Sequence, residues 1–386
     1  MNKDRGSRSP LIAGIALLAQ FVSSPRARAE DQVAYKDEYY QEDGNRINIA
    51  THSAYFEKAI NSVLTLQAGY VYDGISGASP TGGIPLPGSN KVPLAKVDDV
   101  RNAGNVIVGL HLGNHTLSPQ FSYSTENDYT SVGLALNDAI TFNEKNTTLN
   151  LGISHDFDTI QPEFWKNSKS KDSTDALIGL TQLLDPRTYI TVNATFGYSD
   201  GFLADPYKRF HFEDYPDPLN PDPTATFSEK RPGYKSKEIL YLSANHFFDA
   251  LNGSLEGSYR FYHDSYGINA QTVGVAWFQK IGKHLIISPL FRYYYQTAAS
   301  FYATQLPGDP SDPANSAPIP NYYSADYRLS EMETFTYGLK LVYQINDHIR
   351  LDAAFTRYDM RGLDGKTWSS AYPKANVLTL GATWSF

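Results

Sequence analysis

The sequence predicts a transmembrane, antiparallel, up-and-down β-barrel of about 16 strands, with a range of 14 to 18. Three observations carry that expectation. Segments of about ten residues alternate apolar and polar side chains, the length and pattern of a tilted barrel strand. Short and long connections alternate along the chain. The last segment ends on an aromatic residue, Phe386, with apolar side chains at every second position before it.

Composition admits this class and removes others. The 386 residues are 41% hydrophobic and 19% charged, with a mean hydropathy of −0.40, too polar for a bundle of membrane helices. The longest mainly apolar run, Leu11 to Val22, falls short of the roughly 20 residues a spanning helix needs. With 28 Tyr, 20 Phe and 4 Trp the chain is too aromatic for disorder. The absence of cysteine excludes disulfides, Cys-based metal sites and a cysteine nucleophile.

The N-terminus reads as an address. Lys3, Arg5 and Arg8 precede the Leu11 to Val22 stretch, and Ala27-Arg28-Ala29 follows it: a basic region, a short apolar region and a small-x-small cleavage site. Residues 1–29 are therefore expected to be a signal peptide cut after Ala29, leaving 30–386 as one barrel domain. Cleavage removes five Lys/Arg and one Asp and takes the net charge from −8 to −12. So acidic an exported chain lacks the basic face that nucleic-acid binding requires.

The strands follow in order. Gln32 to Gln41 opens the set and is closed by Asp43-Gly44. Further strands are expected near 46–56, 62–72, 101–112, 116–127, 129–142, 147–157, 175–184, 188–199, 239–248, 253–264, 268–280, 284–298, 328–345, 348–359 and 376–386. The clearest alternations place Leu64, Leu66, Ala68, Tyr70 and Tyr72 on one face, and likewise Phe335, Tyr337, Leu339, Leu341 and Tyr343. Asp138 spoils the apolar face of 129–142. Tight turns such as Gly113 to His115 and Gly282-Lys283 alternate with long connections near 73–99, 158–174, 200–237, 300–327 and 361–375. Asn127-Asp128 and Ser265 to Gly267 join the long set by parity. Periplasmic turns and extracellular loops differ in this way, and an even strand count puts both termini in the periplasm. Tyr70, Tyr72, Tyr123, Tyr198, Trp277, Tyr293 and Trp384, near strand ends, read as interfacial girdles.

The final strand carries an assembly signal. Thr379, Gly381, Trp384 and Phe386 occupy the polar, glycine, hydrophobic and terminal aromatic positions of the motif that resembles the β-signal of bacterial outer-membrane barrels. On this reading the partners are the barrel-assembly machinery, outer-membrane lipid and lipopolysaccharide, the site is the outer membrane of a Gram-negative cell, and no cofactor is expected.

Several segments resemble one family: Asp73 to Gly82 (DGISGASPTG), Phe142 to Gly152, Ser258 to Ile268, Arg292 to Tyr302 and Asp326 to Ser330 (DYRLS). Together they are similar to the uncharacterised exported proteins of Gram-negative bacteria grouped as domain-of-unknown-function family 3570. The resemblance covers essentially the whole mature chain. It implies a shared barrel and supplies no activity, ligand or catalytic residue.

Candidate chemistry is sparse. Glu256, Arg260 and Asp264 share the predicted lumen face of one strand, with Arg292, Lys340, Arg350 and Asp352 on strands that follow. They are the candidate pore-lining residues: opposed charges across a constriction would select solutes, whereas a salt-bridge network would brace or plug the lumen. His263-Asp264-Ser265 cannot be a catalytic relay, because neighbours in a strand point to opposite faces. Ser76 does not fit the nucleophile-elbow pattern, and the scattered histidines form no metal-binding spacing. Asp73 to Gly82 reads as a compact loop with special backbone angles, able to fold into the lumen or form a binding surface. The Asp- and Pro-rich runs 214–218 and 308–313 read as turns with exposed acidic groups, of which divalent-cation binding is the lesser reading. The leading expectation is a pore for passive passage of small solutes and not an enzyme. The alternative is a non-conducting barrel acting as scaffold or partner in an envelope complex, linked to redox, with a lipid-modifying barrel enzyme more remote.

Overall fold

The computed structural model describes residues 31–216, 222 and 224–386. The expected signal segment, with Ala27 and Ala29, lies outside them. Sixteen strands close into one antiparallel barrel: β1 (Gln32–Glu42), β2 (Ile47–Ala59), β3 (Leu64–Pro80), β4 (Leu94–Leu112), β5 (His115–Thr125), β6 (Tyr129–Phe142), β7 (Thr147–Ile160), β8 (Lys169–Asp185), β9 (Thr188–Gly201), β12 (Tyr234–Phe248), β13 (Gly253–Asp264), β14 (Asn269–Ile281), β15 (Leu285–Gln296), β17 (Met332–Gln344), β18 (Ile349–Gly362) and β19 (Lys374–Ser385). Three short strands lie outside the wall, β10 (Arg209–Phe212), β11 (Phe227–Ser228) and β16 (Gln305–Leu306). They form a small sheet of their own, in the order β11-β10-β16.

The first and last barrel strands zip together, Val33 opposite Trp384 and Tyr39 opposite Leu378. Closure leaves no strand edge with unpaired backbone groups, the condition for crossing hydrocarbon with strands. Alternation then sorts the side chains. Phe121, Leu134, Ile153, Phe196, Tyr337, Phe355 and Leu380 are among the large apolar residues on the exposed outward face. All seven expected girdle aromatics are on that face too, including Tyr123 beside Val132 and Trp277 beside Leu255.

Two connections are shorter than the sequence suggested. β3 runs to Pro80 and β4 begins at Leu94, so most of 73–99 continues the wall and only 81–93 is loop. The reason is register: Asp73 to Pro80 pairs residue for residue with Arg101 back to Leu94. Likewise 158–174 shrinks to 161–168. Asp138 does fall on the outward face, where its Oδ2 is 2.7 Å from His115 Nδ1 near a periplasmic turn.

Candidate functional site: the capped lumen

The described residues of the long connections 81–93, 202–233, 297–331 and 363–373 meet over the extracellular mouth. Phe210, Phe212, Tyr323 and Ala325 form an apolar cluster there, with both phenylalanines fully buried. Their rings pack at 4.8–5.0 Å between centroids, and Phe212 meets Tyr323 edge-to-face. The small β10–β11–β16 sheet supplies the backbone pairing that lets these loops be buried.

A charged core ties the cap together. Arg231 contacts Glu229 Oε1 at 2.8 Å and donates to Asp326 Oδ2 at 2.8 Å. Arg328 donates through Nε to both Asp326 oxygens at 2.9 Å and through Nη2 to Asp205 at 2.8 Å. Ser324 Oγ donates to Glu229, and the Asp326 N–H to Ser324 Oγ. Lys208 Nζ donates to the Pro80 carbonyl at 2.5 Å, joining the cap to the rim of β3. Charges out of water need this density of partners. Burial pushes the Lys208 ammonium below its usual value and Glu229 above the usual carboxylate range. For Asp326 burial alone would raise the carboxyl, but Arg328, Lys208 and Arg231 outweigh it and hold the group well below that range.

Gly82 sits where loops touch. Its φ is +92°, and a side-chain carbon there would come within 2.6 Å of the Arg209 carbonyl and 3.3 Å of that of Ala325. The expected special backbone angles are thus present, at Gly77 and Gly82, and the glycine segment meets the cap.

Below the cap the wall changes character. All seven candidate lumen residues alternate inward. Asp264, at the extracellular end of β13, is only 1% exposed. It accepts from Tyr262 Oη at 2.6 Å and from the Tyr266 and Ile268 N–H groups, so it braces a turn rather than facing open lumen. Glu256, Arg260, Lys340, Arg350 and Asp352 are half-buried, and Arg292 is exposed. Arg292 makes no ion pair among the described residues, and Arg350 donates to Thr383 at 3.3 Å. The seven therefore do not converge as a ring of opposed pairs. On β15, β17 and β18 the inward residues above them, Gln296, Met332, Thr334 and Met360, are buried. Tyr294, Tyr327 and Tyr358 pack against Met332, Met360 and Tyr372 as a ceiling. Lower down, small Thr65 and Thr383 are covered by His111 and Arg350.

Other expectations resolve by position. His263 points outward and pairs with Asn269 at 2.9 Å, opposite in sense to Asp264. Asp214 accepts from the Gly308 N–H of another loop, and Asp309 from the Ser311 N–H and Oγ, so the first bridges two loops and the second braces its own turn. Among the described residues, Asp99, Glu126 and Asp128 do converge, one oxygen of each within 4.8 Å of the others. Burial and the neighbouring Asp99 push Glu126 up to about 7. Sequence reading missed them, and missed the cap ions, because each group is assembled from segments far apart in the chain. The one available pointer was the DYRLS segment, which holds Asp326 and Arg328.

The sequence matches the family described as "Protein of unknown function (DUF3570)" over residues 9–375. The chain belongs to that family. No curated protein matches it. Among solved structures, CdiB from Acinetobacter baumannii is similar over 93% of this chain and 61% of its own, at 7% identity and a TM-score of 0.53. The siderophore receptor PirA from Pseudomonas aeruginosa aligns over 93% and 62%, at 11% identity and a TM-score of 0.47. OmpT from Vibrio cholerae aligns over 92% and 96%, at 10% identity and a TM-score of 0.46. The DUF3570 chain thus spans about six-tenths of the length of PirA and CdiB. Likeness at this identity concerns the fold: an outer-membrane-type β-barrel.

Proposed function

We propose that this DUF3570 protein is an outer-membrane barrel that is closed at rest, capped on the extracellular side and open as a polar vestibule toward the periplasm. The observation that carries this reading is the gradient of burial along inward faces. Arg292 is exposed to the lumen while Gln296, one inward position above Tyr294, is 4% exposed. A cap of paired ions and packed aromatics is not a loose loop over a channel. The protein then acts as a non-conducting scaffold or partner in the envelope, without enzyme activity of its own, inserted by the barrel-assembly machinery among outer-membrane lipid and lipopolysaccharide. Planar-bilayer recording tests it: purified protein should insert without steady conductance. Stable open steps in wild type would overturn the closed reading.

The second reading, passive passage of small solutes, is favoured by the unpaired Arg292 in the solvated lumen. A barrel of this size holds an aqueous channel unless plugged, so displacing the cap would make a charged passage.

A further inference from the structure

The carboxylate group at the rim borders the ionic core of the cap, with Asp205 near Asp128. Asp99 faces inward near the extracellular end of β4, while Glu126 and Asp128 come from the turn between β5 and β6. One oxygen from each lies within 4.8 Å of the other two. Asp73 is the next carboxylate along the wall, and the guanidinium in this neighbourhood, Arg101, lies 3.4 Å from it. Asp99 Oδ1 accepts from the Val100 and Asn127 N–H groups, which fixes its orientation.

Asp128 is the informative member. It is 8% exposed. Its Oδ2 accepts a hydrogen bond from Tyr207 Oη, a residue of the cap loop. Its Oδ1 is shielded from solvent and meets no hydrogen-bond donor. A buried carboxylate oxygen without a donor is costly, and the Asp99 and Glu126 carboxylates lie beside this group. The donors are all hard oxygens, with no imidazole or sulfur among them. That set suits calcium, which takes oxygen ligands flexibly and completes its shell with water or carbonyls.

We propose that Asp99, Glu126 and Asp128 form a divalent-cation site of calcium type. By holding Asp128 the cation also holds the Tyr207 hydrogen bond, so that it fastens the 202–233 loop to the barrel rim. Three carboxylates at an extracellular rim match the weaker class of sites, with a dissociation constant of about 10⁻⁴–10⁻³ M.

The test uses the full mature chain folded in detergent micelles. Terbium(III) is titrated while tyrosine is excited, since Tyr207 and Tyr129 adjoin the site. Wild type should give saturable emission that calcium displaces. Glu126→Gln and Asp128→Asn, each checked for a heat-modifiable folded barrel, should weaken binding at least tenfold. A paired Asp309→Asn, Asp312→Asn variant should bind like wild type. Calcium should also slow proteolysis within 202–233 in wild type and not in Glu126→Gln. No saturable emission, equal affinity in folded Glu126→Gln, or loss of binding only in the Asp309/Asp312 variant would overturn the site. Binding without protection of the loop would overturn its coupling to the cap.

Discussion

Arg231 Nη2 lies 2.8 Å from Asp326 Oδ2, joining two cap loops whose residues are 95 apart in sequence. Asp326 also accepts from Nε and Nη2 of Arg328, so one carboxylate organises two guanidiniums. Replacing it with Asn leaves those cations buried and short of charge. The cap should lose about 3–5 kcal/mol, the usual cost of breaking a buried pair from one side. Its loops should become protease-sensitive at pH 7 while the barrel stays folded.

The same carboxylate sets an acid limit. Its folded pKa is depressed below the ordinary 3.8, so its contribution is present above that value and lost as pH falls further. Glu229 acts in the opposite sense: its folded pKa is raised above 4.5, so its share is present below 4.5 and lost as pH rises through the folded value. Wild-type cap protection should hold from neutrality to about pH 4 and fall below it. Asp326→Asn should flatten the acid limb. Proteolysis of the cap loops across pH, with a protease active in acid, reads both.

Gly82→Ala should loosen the cap without opening the wall. The added carbon meets two carbonyls from different loops, and φ of +92° disfavours any side chain. A cost of about 1–3 kcal/mol is expected from the combined crowding and backbone strain. Faster cleavage in 202–233 with unchanged barrel melting is the expected pair of results; unchanged cleavage would separate Gly82 from the cap contact.

The barrel was legible because its signals are local. Phe335 to Tyr343 alternates within one strand, and hairpin turns sit beside the residues they join. The expected strands 129–142 and 253–264 coincide with β6 and β13. The cap was not legible because it is made of long-range contacts. Nothing near Lys208 in sequence announces the Pro80 carbonyl, and nothing near Asp128 announces Tyr207. Asp264 looked like a lumen charge because alternation gives the face of a residue and not its height. At the strand tip, the same face meets a turn.

His52 Nδ1 is 2.6 Å from Asp37 Oδ1, and Tyr35 Oη donates to that carboxylate at 2.9 Å. The register puts all three on the outward, apolar face, with Asp37 beside Leu380. An ionisable pair toward lipid is tolerated through mutual hydrogen bonding. His52→Phe should lower the melting temperature by leaving the carboxylate short of a donor, and adding Asp37→Leu should recover most of the loss. Melting in lipid bilayers checks this; an unaffected single variant would place the pair in water.

Phe386 is held at the seam. Its N–H donates to the Asp31 carbonyl at 2.9 Å, its ring lies 4.9 Å from that of Trp384, and Lys58 Nζ sits 5.5 Å above it. Phe386→Ser should lower the folded yield in cells several-fold while refolding in detergent changes little. Equal losses in both settings would assign Phe386 to stability rather than to the assembly signal.

Arg292 discriminates between the two functional readings. Its guanidinium is exposed on the lumen side and makes no ion pair among the described residues, so Arg292→Gln strands no partner. Melting should therefore stay within about 0.5 kcal/mol of wild type, as for a solvated position. Its effect on ion flow depends on the cap. With the cap closed, neither protein conducts, and the substitution is silent. In the Asp326→Asn background the loosened cap should admit current through a passage where Arg260, Lys340 and Arg350 also face inward. Positive side chains on a wall that also carries Glu256 and Asp352 favour anions locally, so removing one of them should move the reversal potential in a salt gradient toward cation preference. Conductance in wild type with the same shift would support a standing pore. Conductance in Asp326→Asn with no shift on Arg292→Gln would place the ion path elsewhere in the barrel.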